Sequence, residues 1–199
     1  MLQDIPTQAL REARPCVLET ERLLLRRPTL ADVKAITRLA NDRRIAENTR
    51  RLPHPFSEDH AIEFVRNAAS DNRGTVFLIE NNFVPVGVVG IDWREPDAPE
   101  LGYWLGVEHW GQGFGTEACR LAVGYAFDHM AMEKVSLDVY EGNERARRAY
   151  EKAGFATEGI LRRHYWLGGR LVDLEIMSVF RDHPLYASGG TGTGASAAS

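Results

Sequence analysis

Apolar and polar positions along the chain follow two periods, and the switches between them mark out a mixed order of strands and helices. Residues 22–27 read as a strand, and Thr29 then caps a helix running to about residue 41, with Asp32 in its first turn. Pro53-His54-Pro55-Phe56 breaks the chain, and Ser57 caps a second helix to about residue 70. Residues 75–80 and 84–93 read as a hairpin joined across Asn81-Asn82. Residues 100–107 are apolar and aromatic enough for a buried strand. Beyond Gly113, residues Ala118, Leu121, Ala122, Tyr125 and Ala126 recur at helical spacing. A strand at 135–140, a helix at 144–153 closed by Gly154, and strands at 156–166 and 171–180 complete the series. A doubly wound parallel sheet would alternate more strictly. The order therefore predicts an α+β fold on a mostly antiparallel sheet of about seven strands with flanking helices.

At 199 residues the chain suits one domain, over residues 17–186, with a flexible lead at 1–16 and a Gly/Ser/Ala-rich disordered tail at 187–199. Its 44% hydrophobic and 26% charged residues are those of an ordinary soluble globule, and the net charge of −4 argues against nucleic acid as a partner. Three of the 24 basic residues are lysines; the rest are arginines, too scattered to outline a binding surface. Cys16 and Cys119 show no disulfide or metal-site spacing, the six histidines form no HExxH or His/Cys cluster, and no stretch reads as a secretory or membrane segment. The expectation is a metal-free cytoplasmic protein that engages neither nucleic acid nor membrane. Its oligomeric state is open, a homodimer among the options.

The densest chemistry lies where the strand at 100–107 gives way to a helix. Trp110-Gly111-Gln112-Gly113-Phe114-Gly115-Thr116-Glu117-Ala118 places three glycines at alternate positions. Glycine lets the backbone approach a ligand closely, and the first amides of a helix have no intrahelical partner while its dipole favours negative charge. Strand, turn and helix start can thus cradle a phosphate on backbone N–H groups. A tight turn whose glycines only supply unusual dihedrals is the competing reading. A Walker loop would need a following Lys, and a dinucleotide fingerprint reads GxGxxG rather than GxGxG. Thirty residues on, Asn143 suits an N-cap and Gly154 a helix stop, with Tyr150 on the same side as Asn143. By themselves these two are a cap and a packing residue.

Together the two constellations resemble the GNAT superfamily of acyl-CoA-dependent N-acetyltransferases. Gly113 and Gly115 match its Q/R-x-x-G-x-G/A turn, and Asn143, Ala146, Tyr150, Gly154 and Phe155 match its second motif. Trp110 stands where Gln or Arg is usual. The run Trp-Gly-x-Gly-x-x-Thr-Glu-Ala is similar to the RimJ/RimL branch of ribosomal-protein acetyltransferases, as are the segments at 19–26, 53–55 and 173–178. The resemblance spans roughly residues 18–180 and implies a twisted sheet splayed at the acyl-CoA site, with acetyl-CoA as cosubstrate.

Under that resemblance the amides of Gln112, Gly113, Phe114, Gly115 and Thr116 face the diphosphate, and the main chain of Leu105, Gly106 and Val107 faces the pantetheine. Asn143 holds the pantetheine arm by its amide. Tyr150 is the candidate general acid, since a phenol near pKa 10 can protonate a departing thiolate near 8.5. Glu100 is the candidate base, an exposed edge glutamate being the competing reading; Asp92 follows, then Glu95 and Asp97. A buried helical Cys119 reads as packing. His54 reads as part of a rigid loop, with the acceptor cleft as the competing place, and Tyr103, Trp104, Tyr165 and Trp166 as mostly core, with an edge of the acceptor pocket as the alternative for Tyr165 and Trp166. The function implied is direct transfer of an acetyl group to a primary amine in a ternary complex, with a protein N-terminus ahead. A small amine such as a polyamine or aminoglycoside, or a non-catalytic acyl-CoA-binding module, are the alternatives.

Overall fold

The computed structural model describes residues 18–70, 74–92 and 99–187. The expected N-terminal lead with Cys16, residues 188–199 of the expected tail, Trp93 and the carboxylates Glu95 and Asp97 lie outside the described residues.

The strands are β1 (Leu18–Glu19), β2 (Leu23–Arg26), β3 (Gly74–Asn81), β4 (Val84–Asp92), β5 (Glu100–Leu105), β6 (Lys134–Tyr140), β7 (Ala156–Leu167) and β8 (Arg170–Phe180). The helices are α1 (Val33–Ala40), α2 (Arg43–Ala46), α3 (Glu58–Ser70), α4 (Phe114–His129) and α5 (Glu144–Lys152). The strands form one sheet in the order β1-β2-β3-β4-β5-β6-β8-β7. It has one strand more than expected, because the two-residue β1 is too short to leave a periodic trace in sequence. The expected helix from Thr29 to residue 41 is a 3-10 turn at Leu30–Asp32 leading into α1. Thr29 is the N-cap of that turn as expected, in a capping box with Asp32, whose carboxylate accepts the Thr29 amide at 2.7 Å. Asn41 leaves the helix because its side chain accepts the Phe56 amide at 2.9 Å, and the short α2 follows unannounced by the hydrophobic pattern. No helix among the described residues is long and apolar enough to cross a membrane.

Side chains alternate between the faces of a strand. Phe77 and Ile79 of β3 therefore join the core beneath α4 and α5, with Leu101, Leu105, Phe114, Ala122, Phe127, Leu137 and Met177. Leu78 and Val88 face the other way and are covered by Val33 and Ile36 of α1 and by Ala61 and Val65 of α3. A buried ion cluster ties β2 to β3 and the 3-10 turn. Arg26 donates to Asp32 through Nη1 (2.8 Å) and Nη2 (2.7 Å), and to Glu80 through Nε (3.0 Å) and Nη2 (2.6 Å).

One seam of the sheet departs from the antiparallel rule. β5 and β6 run parallel and pair only at Glu100 and Ser136, where the Ser136 amide donates to Pro99 O at 2.9 Å. Beyond that point the two strands diverge toward Leu105 and Tyr140, and β6 turns to pair with β8 instead. The splay opens a gap through the sheet.

Candidate active site

The gap is roofed by the glycine run. Gly113 is the N-cap of α4 in the left-handed region at φ +83°, where a residue with a Cβ would carry a cost of about 1–2 kcal/mol. The first helical hydrogen bond runs from the Glu117 amide to Gly113 O at 3.2 Å. The amides of Gln112, Gly113, Phe114, Gly115 and Thr116 donate to no protein acceptor among the described residues. Four of these five residues, Gly113 to Thr116, line a cavity of about 270 Å³ that continues into the splay. Its other walls are Tyr103, Trp104 and Leu105 of β5, Asn48 and Thr49 after α2, and Asn143, Arg145, Arg148, Tyr150 and Lys152 of α5 and its cap. Unpaired amides at a helix start, facing three cations, make a site for an anionic ligand.

Of the residues expected at the site, Leu105, Gly113, Phe114, Gly115, Thr116, Asn143 and Tyr150 line this cavity. Gly106, Val107, Gln112 and Glu100 do not. The Gly106 amide is taken by Val86 O at 2.9 Å, and Val107 opens a 3-10 turn whose carbonyl accepts the Trp110 amide. The Gln112 side chain turns back to Glu108 O at 3.1 Å. Asn143 caps α5 by accepting the Ala146 amide on Oδ1 at 3.3 Å, which leaves its Nδ2 donors uncommitted among the described residues. His54 is exposed and away from the cavity walls.

Tyr103 has a larger part than core packing. Its ring lies edge-on to Tyr150, centroids 5.5 Å apart at 78°, and both rings line the cavity. A Cβ on Gly115 would come within 2.7 Å of Tyr103 Cε2 and 2.8 Å of its hydroxyl, so only glycine lets this tyrosine reach the helix start. Gly115→Ala is accordingly expected to push Tyr103 into the cofactor space and weaken acetyl-CoA binding by about tenfold or more. Its net stability change should stay within about 1–3 kcal/mol, because overpacking is partly offset by better helix propensity. Titration of the variant with acetyl-CoA, beside a denaturant melt, checks both; undiminished affinity would show that the Tyr103 contact is immaterial.

Burial first, then the neighbouring Tyr103, Cys119, Asp138 and Glu100, push the Tyr150 phenol well above its ordinary pKa. The Asp138 and Glu100 charges are thus felt at the Tyr150 hydroxyl across the splay. Burial alone pushes the fully enclosed Cys119 thiol up, so it rests as a neutral packing group. On the opposite face of the sheet stands a row of carboxylates on three adjacent strands. Asp92 of β4 is the cross-strand partner of Glu100 of β5, and Asp138 of β6 lies two residues beyond the partner of Glu100 on the other side. Arg50 bridges Glu100 and Asp138, the latter at 2.9 Å, and Arg51 reaches Asp92 at 2.5 Å. Burial raises the Asp138 pKa, against the pull of Arg50.

Residues 22–156 match the family model described as an acetyltransferase (GNAT) domain. The chain is a GNAT acetyltransferase. An uncharacterized N-acetyltransferase of Bacillus subtilis, YoaA, is 30% identical over 175 residues, covering 83% of this chain and 97% of the relative. The crystal structure of spermidine N-acetyltransferase from Vibrio cholerae, in complex with CoA and spermine, superposes with a TM-score of 0.73 at 26% identity, covering 82% of this chain and 98% of that one. RimJ of Mycobacterium smegmatis, in complex with CoA-disulfide, superposes with a TM-score of 0.77 at 18% identity over 84% of this chain and 88% of that one, a likeness of fold.

Acetyl-CoA is the cosubstrate of this GNAT acetyltransferase, and the orphan amides with Arg145, Arg148 and Lys152 suit its diphosphate and phosphate charges. Trp110, at the position where the family motif usually carries Gln or Arg, does structural work. Its indole N–H donates to Leu105 O at 2.9 Å, and the Arg145 guanidinium lies 3.2 Å over its ring. The acetyltransferase so brings a cation to the cradle from α5 instead of from the turn. The motif spacing gave no sign of Arg145, because ring and guanidinium are 35 positions apart. Asp138 also went unread, being one polar residue in an alternating strand. The Glu117 carboxylate, in the first turn of α4, is paired by Arg22 Nε at 2.9 Å and by the Thr20 hydroxyl, which offsets its repulsion of an anion at the same helix end.

Proposed function

We propose that the acetyltransferase moves the acetyl group of acetyl-CoA to a primary amine of a small, multiply cationic acceptor by direct attack in a ternary complex. The row of Asp92, Glu100 and Asp138 beside the splay carries this reading, because such a row attracts polyamines and lies within electrostatic reach of Tyr150. The V. cholerae spermidine acetyltransferase supports it as a relative in sequence, 28% identical over 98% of its length. A protein N-terminus is the second reading, supported by the Trp110-to-Ala118 run.

The amides of 112–116 hold the diphosphate, with Arg145 beside them, and Asn143 Nδ2 steadies the pantetheine. The acceptor arrives as an ammonium near pKa 10, so a carboxylate has to take its proton before the nitrogen can attack. Glu100 has that role. The N–C bond then forms as the C–S bond breaks, and Tyr150 gives its proton to the departing sulfur. The same burial that weakens the Tyr150 acid also raises the pKa of a thiol leaving beside it, as it does for Cys119, so the mismatch between donor and acceptor stays small.

A CoA-release assay with spermidine and with a peptide bearing a free N-terminus tests the proposal. Release with spermidine is expected, with Glu100→Gln lowering kcat/KM by about 10²-fold. Release with the peptide alone would move the acceptor to the second reading. Acetyl-CoA at about 100 times Kd should stabilise the fold by about 2.7 kcal/mol; a melting shift with no release from any amine would leave a binding module.

A further inference from the structure

Arg50 stands between two carboxylates of the row beside the splay. Its guanidinium comes from the segment that follows the cavity-lining Asn48 and Thr49, forms an ion pair with Asp138 at 2.9 Å and donates a hydrogen bond to Glu100. The two carboxylates belong to the strands that splay apart, so the group between them sits at the mouth of the gap. Tyr140 is a third polar group here, on the same face of β6 as Asp138. It is 6% exposed, and its hydroxyl has no hydrogen-bond partner among the described residues. Burial first, and then Tyr165, tilted over it with ring centroids 5.3 Å apart, raise the Tyr140 pKa. Tyr140 stands two positions from Asp138 on that face, and its phenol feels the charges of Arg50 and Asp138. A buried hydroxyl without a partner is costly, and it is a feature that a ligand can complete.

We propose that Glu100, Asp138 and Tyr140 form the seat for the acceptor's ammonium group, and that Arg50 is a resident cation that fills this seat until the acceptor displaces it. The inference rests on the acetyltransferase reading above and names the residues that select its acceptor. An ammonium carries three N–H groups in a compact tetrahedral array, whereas a guanidinium is a planar fork. The fork satisfies Glu100 and Asp138 but leaves Tyr140 Oη unpaired; the ammonium can reach all three. Arg50 is displaceable because its side chain is 29% exposed and its bonds are to part-exposed carboxylates, a type of pair that contributes little net stability. Leaving the seat returns it to water. The ammonium then stands beside Glu100, which takes its proton as the transfer begins.

Calorimetric titration of 1,4-diaminobutane into the CoA-saturated enzyme tests this, with 1,4-butanediol as the uncharged control. Arg50→Gln is expected to tighten diamine binding at least threefold, since the competitor is gone. Asp138→Asn should weaken it at least tenfold and Tyr140→Phe at least threefold, with the diol binding to none of them. Arg50→Lys, which restores a resident cation, should bring the affinity back to within twofold of wild type. Diamine binding that weakens in Arg50→Gln, or that is unchanged in both Asp138→Asn and Tyr140→Phe, would overturn the proposal. The melting shift produced by CoA is read in every variant. Its retention shows a folded, CoA-binding enzyme, and its absence from the wild type would sink the acetyltransferase reading separately.

Discussion

Tyr150→Phe is expected to lower kcat by about 10²–10⁴-fold while leaving the acetyl-CoA Kd within about twofold of wild type. The substitution keeps the ring, and with it the edge contacts to Tyr103 at 5.5 Å and Phe155 at 5.9 Å. What disappears is one hydroxyl at the splay, the group proposed to protonate the departing sulfur. A loss confined to kcat means that the hydroxyl acts in the transition state rather than in binding. The pH dependence follows from the direction of the shift. Burial, with the neighbouring charges, holds the Tyr150 pKa well above 10, so the phenol stays protonated through and beyond pH 10. Wild-type activity should therefore show no alkaline fall at pH 8–9 from loss of this proton. Steady-state kinetics beside a direct titration of acetyl-CoA measure both quantities. An undiminished kcat would take the acid role from Tyr150, and Tyr103, the other phenol in the cavity wall, would be next to replace.

The largest stability effect is expected away from the site. Arg26→Met should destabilise the fold by about 3–5 kcal/mol and lower Tm by on the order of 10 °C. Arg26 is shared by Asp32 and Glu80, which are 7% and 2% exposed, and its removal takes from two buried carboxylates their common cation. Burial alone would raise the Asp32 pKa, but the Arg26 guanidinium, with the Thr29 amide and hydroxyl, outweighs it and holds the group below the ordinary carboxylate value. A depressed pKa in the folded state gives stability that is present above the unfolded value, about 3.9, and lost as pH falls through the folded one. The wild-type cluster should thus stay intact at pH 5 and above. In Arg26→Met the Asp32 carboxyl, buried and without the guanidinium, relaxes by taking a proton, so the deficit should shrink from pH 7 toward pH 4. Urea melts at the two pH values check the sign, and a deficit under about 1 kcal/mol at pH 7 would show that the cluster contributes little.

Both effects bear on how far the site could be read in advance. The cradle was legible because its parts are local: a strand, three glycines and a helix start lie within twenty residues, and the phosphate chemistry is that of the backbone itself. Asn143 and Tyr150 were legible for the same reason, sharing one side of one short helix. The proposed acceptor side was legible only at Glu100, the candidate base. Arg50, Asp138 and Tyr140 come from a loop and one strand, and each alone is an ordinary polar residue. Trp110 and Arg145 illustrate the same limit, as do Tyr103 and Gly115: each pair meets through packing, across 35 and 12 positions of chain.

By itself the sequence determined the mixed order of elements and the glycine run, because hydrophobic period, turn chemistry and helix capping act over a few neighbouring residues, and the resemblance of its two motifs pointed to the GNAT family. The tertiary structure alone decided where β5 and β6 part, which carboxylates stand beside the gap, and that an arginine lies between two of them. Those outcomes depend on strand order and register, which bring together residues from distant segments and bury them enough to shift their charges.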